Sequence, residues 1–396
     1  MFAALLPGCL PQQACGDGQY ALDLSGATGD FLYSDEALPV VTIEMDQDAL
    51  DGLARTPHDG DPPDVHATFG FDGADGPESY DVGLHLKGHS SFRPIEEKAA
   101  FKIDFHEWID TQSFHGVRRL TLNNMTGDPS MLSEHLSYRV YELAGLPAAR
   151  HGYTCVVVNG ADYGLYGLVE TMDQQFLNRA FPDPDGNLYE GTFGADIRIG
   201  ATTGYIPQVI NDVADGSDLA ALAAAFNGVT EANAMDLFRA HFDVDELLDA
   251  WAVELMIGNV DGYLVMKNNY LLYHQPSDDR WSFLPWGVDE NFSETKDGDL
   301  PDYLADEGNF GGVLFKHCLA SPDCCGSLDD HLLDIAGLFE DEDLSGYARE
   351  QIARIRTVSR GDAMSPAGSR ETRIAQNQIE SWIKARNRRV SSHLEE

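Results

Sequence analysis

The spacing of apolar residues changes part-way along this chain, and that change limits the fold to a sheet-rich part followed by a helical one. Up to about residue 170 the pattern is mostly alternation. Residues 39–45 read as a strand, 48–53 as a short helix, and 66–71 with 80–87 as a hairpin. Residues 101–105 alternate strictly, which puts Lys102 on the opposite face from Phe101 and Ile103, and 119–122 make a further strand. One helix interrupts the strands. Asp128 is its expected N-cap, Pro129 its first residue and Gly145 its end. Residues 153–159 and 163–169, joined at Asn159-Gly160, predict a second hairpin, and 173–180 turn helical. Beyond residue 215 the recurrence is helical over 219–226, 232–242, 244–257, 347–355 and 371–394. Two strands at 269–273 and 281–284 interrupt it.

The fold class read from this pattern is α+β, divided into a leader over 1–37, a sheet-rich lobe over 38–170 and a helical lobe over 171–396. Residues 10–37 carry Gly, Asp and Ser without sustained periodicity, so order is expected to begin near Leu38.

With 66 acidic against 26 basic side chains the formal charge is −40, a field that repels nucleic acid phosphates and anionic lipid surfaces. Nucleic acid is therefore not expected as a partner. The same excess suits a saline or extracellular setting and attracts divalent cations; it also raises, as a separate reading, a Ca²⁺-binding extracellular adhesion module. No run of 18 or more apolar residues exists, so no transmembrane segment is expected. Leu6, Pro7, Gly8 and Cys9 resemble the end of a bacterial lipoprotein signal, though the usual basic start is absent. A lipid anchor at Cys9 and an extracellular or cell-envelope location are the corresponding expectations. The six cysteines lack the paired spacing of a structural zinc site. Cys318 and Cys324 bracket a turn that a disulfide would close, with Cys325 as the competing partner, and Cys155 is expected as a buried free thiol.

Several catalytic classes are excluded by motif. There is no GxxxxGK[ST] phosphate loop, and Gly88-His89-Ser90-Ser91-Phe92 lacks the closing Gly of a nucleophile elbow. His85 and His89 have helical metal spacing but fall on a strand and a turn. The stretch 183–187 places its Gly too early for an EF-hand loop.

Other motifs point to one family. Leu86-Lys87-Gly88-His89-Ser90-Ser91, followed by Lys98 and Phe101-Lys102-Ile103-Asp104-Phe105, resembles the R-G-N-S-S and K-K-x-[FY]-K-[IL]-x-F patterns of CotH kinases. Asn159-Gly160 with Tyr163-Gly164-Leu165-Tyr166 and Glu170 is similar to that family's N-G-x-x-x-G-x-Y-x-x-x-E. Asn259-Val260-Asp261-Gly262 with Asn269-Tyr270 resembles its H-x-D-G and N-Y-Y-L-Y, and Pro285-Trp286-Gly287-Val288-Asp289 its P-W-D-x-D.

The resemblance implies a two-lobed, protein-kinase-like fold that uses ATP with Mg²⁺, or Mn²⁺, and phosphorylates protein Ser or Thr. By it, Asp261 would orient or deprotonate the attacking hydroxyl, and Asn269 and Asp289 would hold the metal, with Asn268 as an alternative ligand. Lys87, Gly88, Ser90, Ser91 and Lys102 would meet the phosphates, Glu170 would lie near the adenine, and Glu134 is a candidate partner of Lys102. Asn259 stands where the family carries His, and Gly287 where it carries the first Asp of W-D-x-D. Those departures raise the alternative of a catalytically silent scaffold or surface protein.

Overall fold

The computed structural model describes residues 29–35, 38–56, 63–73, 76–211, 215–293 and 311–394. They divide into two compact units. One draws on Met1–Met131, His151–Glu170 and Gln351–Ala375; the other comprises Leu132–Arg150, Thr171–Glu350 and Gln376–Glu396.

The first unit holds β1 (Val40–Glu44), α1 (Gln47–Ala54), β2 (Val65–Gly73), β3 (Gly76–Lys87), β4 (Ala100–Asp104), β5 (Arg119–Asn123), β6 (His151–Val158) and β7 (Ala161–Glu170). Its strands close into a seven-stranded barrel in the order β1-β2-β3-β4-β5-β7-β6. The alternation identified in the sequence sorts the side chains. Phe69, Phe101, Ile103, Phe105, Leu120 and Leu122 enter a common core, while Lys102 is exposed. Closure depends on β1 running parallel to β6, with Val40 opposite Cys155 and Ile43 opposite Val158. Asn159, at the β6–β7 turn, reinforces this seam: its carboxamide accepts from Met45 N–H (2.8 Å) and donates to Met45 C=O (3.0 Å). Periodicity predicts these strands individually. The barrel is a finding of the structure, because the pairing that closes it links segments more than a hundred residues apart.

The second unit contains α2 (Ser133–Leu143), α3 (Gln174–Ala180), β8 (Asn187–Gly191), β9 (Tyr205–Val209), α4 (Ser217–Ala225), α5 (Ala234–His241), α6 (Val244–Ile257), β10 (Tyr270–Gln275) and β11 (Arg280–Pro285). It also contains α7 (Val313–Ala320) and α8 (Pro322–Asp341). Helices α9 (Leu344–Gly361) and α10 (Ser369–Leu394) each contribute residues to both units. The strands form an antiparallel sheet ordered β11-β10-β8-β9. Trp251 of α6 packs edge-on against Phe238, Phe283 and Phe315, which ties α5, β11 and α7 to that helix.

Three expectations are corrected. Order begins ahead of Leu38, in a 3-10 turn over Asp30–Tyr33 that buries Phe31 and Leu32 in the barrel core. Helix α2 starts at Ser133, not behind Asp128. The Asp128 carboxylate instead accepts from the amide (2.8 Å) and hydroxyl (2.6 Å) of Ser130, and Met131 takes a left-handed backbone (φ 59°), so an Asx turn occupies the predicted first helical turn. Cys155 is disulfide-bonded rather than a free thiol, and its partner lies outside the described residues. Cys318 and Cys324 are joined, with Cα atoms 5.0 Å apart, and Cys325 is the half-buried free thiol. Cys9 also lies outside the described residues. No helix among them is long and apolar enough to cross a membrane.

Candidate functional site

Helix α6 is capped at its start by Asp243, whose carboxylate accepts from Asp245 and Glu246 N–H, and it ends at Gly258. The loop that follows carries Asn259, Asp261 and Gly262 and leads into β10. Asp261 is half-buried, and its two carboxylate oxygens accept separate bonds, from Asn268 Nδ2 (3.1 Å) and Asn269 Nδ2 (2.8 Å). Asn269 also donates to the Gly287 carbonyl (3.3 Å), and its own carbonyl accepts from Trp286 N–H (3.3 Å). The structure therefore brings together Asp261, Asn268, Asn269 and the Trp286-Gly287 backbone. Both asparagines bond the same carboxylate.

The segment carrying Asp289 is anchored from two sides. Phe292 N–H donates to Ile257 C=O (3.1 Å) at the end of α6. From α2, the Ser133 hydroxyl donates to Asn291 C=O (2.9 Å) and the Ser137 hydroxyl to Val288 C=O (3.1 Å), while buried Asn291 Nδ2 donates to Ser137 Oγ (2.9 Å). Asp289 itself is half-buried between those fixed points.

Gly287 is confined by Asn269. Its backbone is left-handed (φ 56°), and a Cβ there would come within 2.7 Å of Asn269 Cγ. An Asp at 287 is incompatible with Asn269 in its present position.

In the barrel unit, Lys102 is exposed on β4, opposite His85 of β3 and Thr121 of β5. The Lys87 ammonium bonds the Asn123 carboxamide oxygen. Gly88 is left-handed (φ 111°), Ser90 is exposed and Ser91 half-buried. Asn124 fixes this turn by donating to the carbonyls of Ser91 (3.0 Å) and Lys98 (2.8 Å). Glu170 is buried at the end of β7, opposite Leu120.

Two buried groups were not assigned a role from the sequence. Lys98 is shut off from water and ion-paired with Asp362, and burial lowers its pKa against the pull of that carboxylate. Glu254 in α6 is pushed up to about 8 by burial, opposed only by a bond from Leu264 N–H (3.0 Å). A single acid within the apolar run 250–257 is a signal that could have marked Glu254. Nothing local marks Asp362.

The chain matches the family described as CotH kinase protein over residues 84–390, well over half of its length. It is similar to invasin CotH2 of Rhizopus delemar, 25% identical over 67% of this chain and 46% of the invasin. It is also similar to invasin CotH3 of the same organism, 28% identical over 49% of this chain and 34% of that protein. Inner spore coat protein H of Bacillus subtilis is 23% identical over 58% of this chain and 64% of the coat protein. The chain thus spans less than two thirds of the length of each of these relatives. The match covers the glycine turn, Lys98, Lys102, Asp261, Asn269 and Asp289 in one continuous stretch, and the chain belongs to the CotH kinase protein family.

Proposed function

We propose that the chain is a two-lobed, kinase-like phosphotransferase that moves the γ-phosphate of ATP to protein Ser or Thr. The observation that carries this reading is the Asp261 carboxylate, held by two carboxamides in the loop after α6 of a CotH-family chain. A carboxylate so held is fixed in orientation, which is what a group receiving a hydroxyl proton needs. The acceptor oxygen attacks the γ-phosphorus, the bond from that phosphorus to the β-bridging oxygen breaks, ADP leaves with the bond pair, and the hydroxyl proton passes to Asp261.

The donors assigned to the metal are of the kind a hard cation takes. Asn269 directs its nitrogen to Asp261 and Gly287, so its carboxamide oxygen, with the Asp289 carboxylate, supplies the oxygen chemistry that Mg²⁺ or Mn²⁺ prefers. A bound divalent cation would neutralise charge on the transferring phosphoryl group. Lys102, Lys87 and the hydroxyls of Ser90 and Ser91 are assigned to the phosphates, and Glu170 to the neighbourhood of the base. The Cys318–Cys324 disulfide supports a location outside the reducing cytoplasm, at the cell envelope or beyond it, with or without a lipid anchor at Cys9.

A silent scaffold is the second reading, favoured by Gly287, where the acidic residue of the W-D-x-D pattern is absent and a side chain would have to displace Asn269. The two separate in one assay. Labelled γ-phosphate from ATP is offered with Mg²⁺, then Mn²⁺, to the protein itself and to casein-like acceptors, with Asp261→Asn run beside it. Label in the wild type alone supports the kinase. No label, together with no metal-dependent rise in melting temperature on adding ATP, overturns it.

A further inference from the structure

Glu254 sits one turn before the end of α6, and its carboxyl faces the loop that carries Asp261. Its Oε1 accepts from Leu264 N–H (3.0 Å), and a Cβ on Gly262 would lie 1.9 Å from that oxygen, so the loop backbone rests directly against the carboxyl. The Glu254 main-chain carbonyl holds the same loop by accepting from Asn259 N–H (2.9 Å). From α2 the facing titratable group is the fully buried Tyr141, and from α10 buried Arg386 donates to the Leu255 carbonyl. No cation is bonded to Glu254 among the described residues. A carboxylate buried without a cation is costly, whereas the neutral acid accepts the Leu264 bond at little cost.

We propose that Glu254 is a positioning residue that holds the 259–264 loop, and with it Asp261, as a neutral acid. Its consequence for turnover rests on the kinase reading, but its hold on the loop does not. When the loop opens, the carboxyl meets water and returns to its ordinary value of 4.5; with the loop closed it stays protonated up to about 8. The closed loop is therefore favoured in full below pH 4.5, loses that advantage steadily as pH rises towards 8, and loses nothing more above it.

The test is hydrogen exchange of the 258–270 amides in the full chain, comparing wild type with Glu254→Gln at about pH 5.5, 7 and 8.5, since Gln keeps the acceptor and cannot ionise. The ratio of wild-type to variant opening should rise by up to ~10-fold per pH unit to about pH 8 and then flatten. A ratio that stays constant across the range overturns the proposal. Glu254→Leu should open the loop at every pH and, where transfer occurs, lower kcat while leaving KM for ATP in place. A rising ratio without transfer in any variant retains the role of Glu254 and removes the kinase reading; transfer with a flat ratio does the reverse.

Discussion

The Lys98 ammonium and the Asp362 carboxylate form an ion pair with 1% and 0% of their side chains exposed, across 264 residues of sequence. Asp362 also accepts from the amides of Leu165, Met364 and Ser365, each at 3.0 Å, and Lys98 lies over the Tyr166 ring. The pair therefore ties the segment after α9 to β7 and to the residues leading into β4.

Removing one member leaves the other charge buried. Lys98→Met should cost about 3–5 kcal/mol in urea unfolding. Asp362→Leu should cost at least as much, because it strands three backbone donors along with the ammonium. The double variant should not recover wild-type stability, since those donors still lack an acceptor. Full recovery would show that the carboxylate serves Lys98 alone.

Lys102, four residues on, should behave differently. It is exposed on β4, so Lys102→Met should change stability by no more than about 0.5 kcal/mol. On the kinase reading the same substitution removes positive charge from the phosphates, and should reduce or abolish the ATP-dependent rise in melting temperature measured with Mg²⁺. An unchanged ATP response would take Lys102 out of the proposed site.

Local pattern was enough to place most strands and helices, and the reason is visible in particular residues. Strict alternation at Phe101, Ile103 and Phe105 needed no partner to be read, nor did Asn159-Gly160 as a hairpin turn. Failures arose where a distant or competing contact decided the outcome. Strands β8 and β9 went unread because Gly, Pro and Asp break the alternation around them; β8 takes its register from β10, some eighty residues later, and β9 pairs with β8. Asp128 looked like a helix cap, but its carboxylate bonds Ser130 in a turn of its own. At the candidate site, Asp261 and Asn269 were legible as types at a spacing. Their mutual bond and the hold of Glu254 on the loop were not, because both depend on how the 259–269 chain folds back on itself.

Gly287 invites a direct substitution. Gly287→Asp restores the family's acidic residue, but its Cβ would meet Asn269 Cγ at 2.7 Å in a left-handed backbone. The expected outcome is displacement of Asn269 from Asp261, with weaker rather than stronger Mg²⁺-dependent ATP binding by calorimetry and a lowered melting temperature. Tighter binding would mean that the loop relaxes to admit a second acid, and that the glycine merely weakens an otherwise ordinary metal site.

In β10, His274 lies flat against Trp281 (4.4 Å between centroids), with Nδ1 3.2 Å from Asp218 and Nε2 2.9 Å from Asp279. Burial would lower the His274 pKa, but the bonds to Asp218 and Asp279 outweigh it and raise it above 6.5. Burial likewise works against ionised Asp218, yet bonds from His274, Asn187 and Tyr189 bring its carboxyl below 3.8. Neighbouring His241 and Asp215 share this field. The signs are opposite. Stability from His274 is complete below pH 6.5 and is lost as pH climbs through its raised value; stability from Asp218 is complete above 3.8 and is lost as pH falls through its depressed one. Melting temperature should therefore decline on the alkaline side of pH 6.5 beyond what Glu254 contributes, and in a Glu254→Gln background His274→Gln should flatten that decline while lowering the plateau. If the double variant declines in parallel with Glu254→Gln alone, another group controls the alkaline limb.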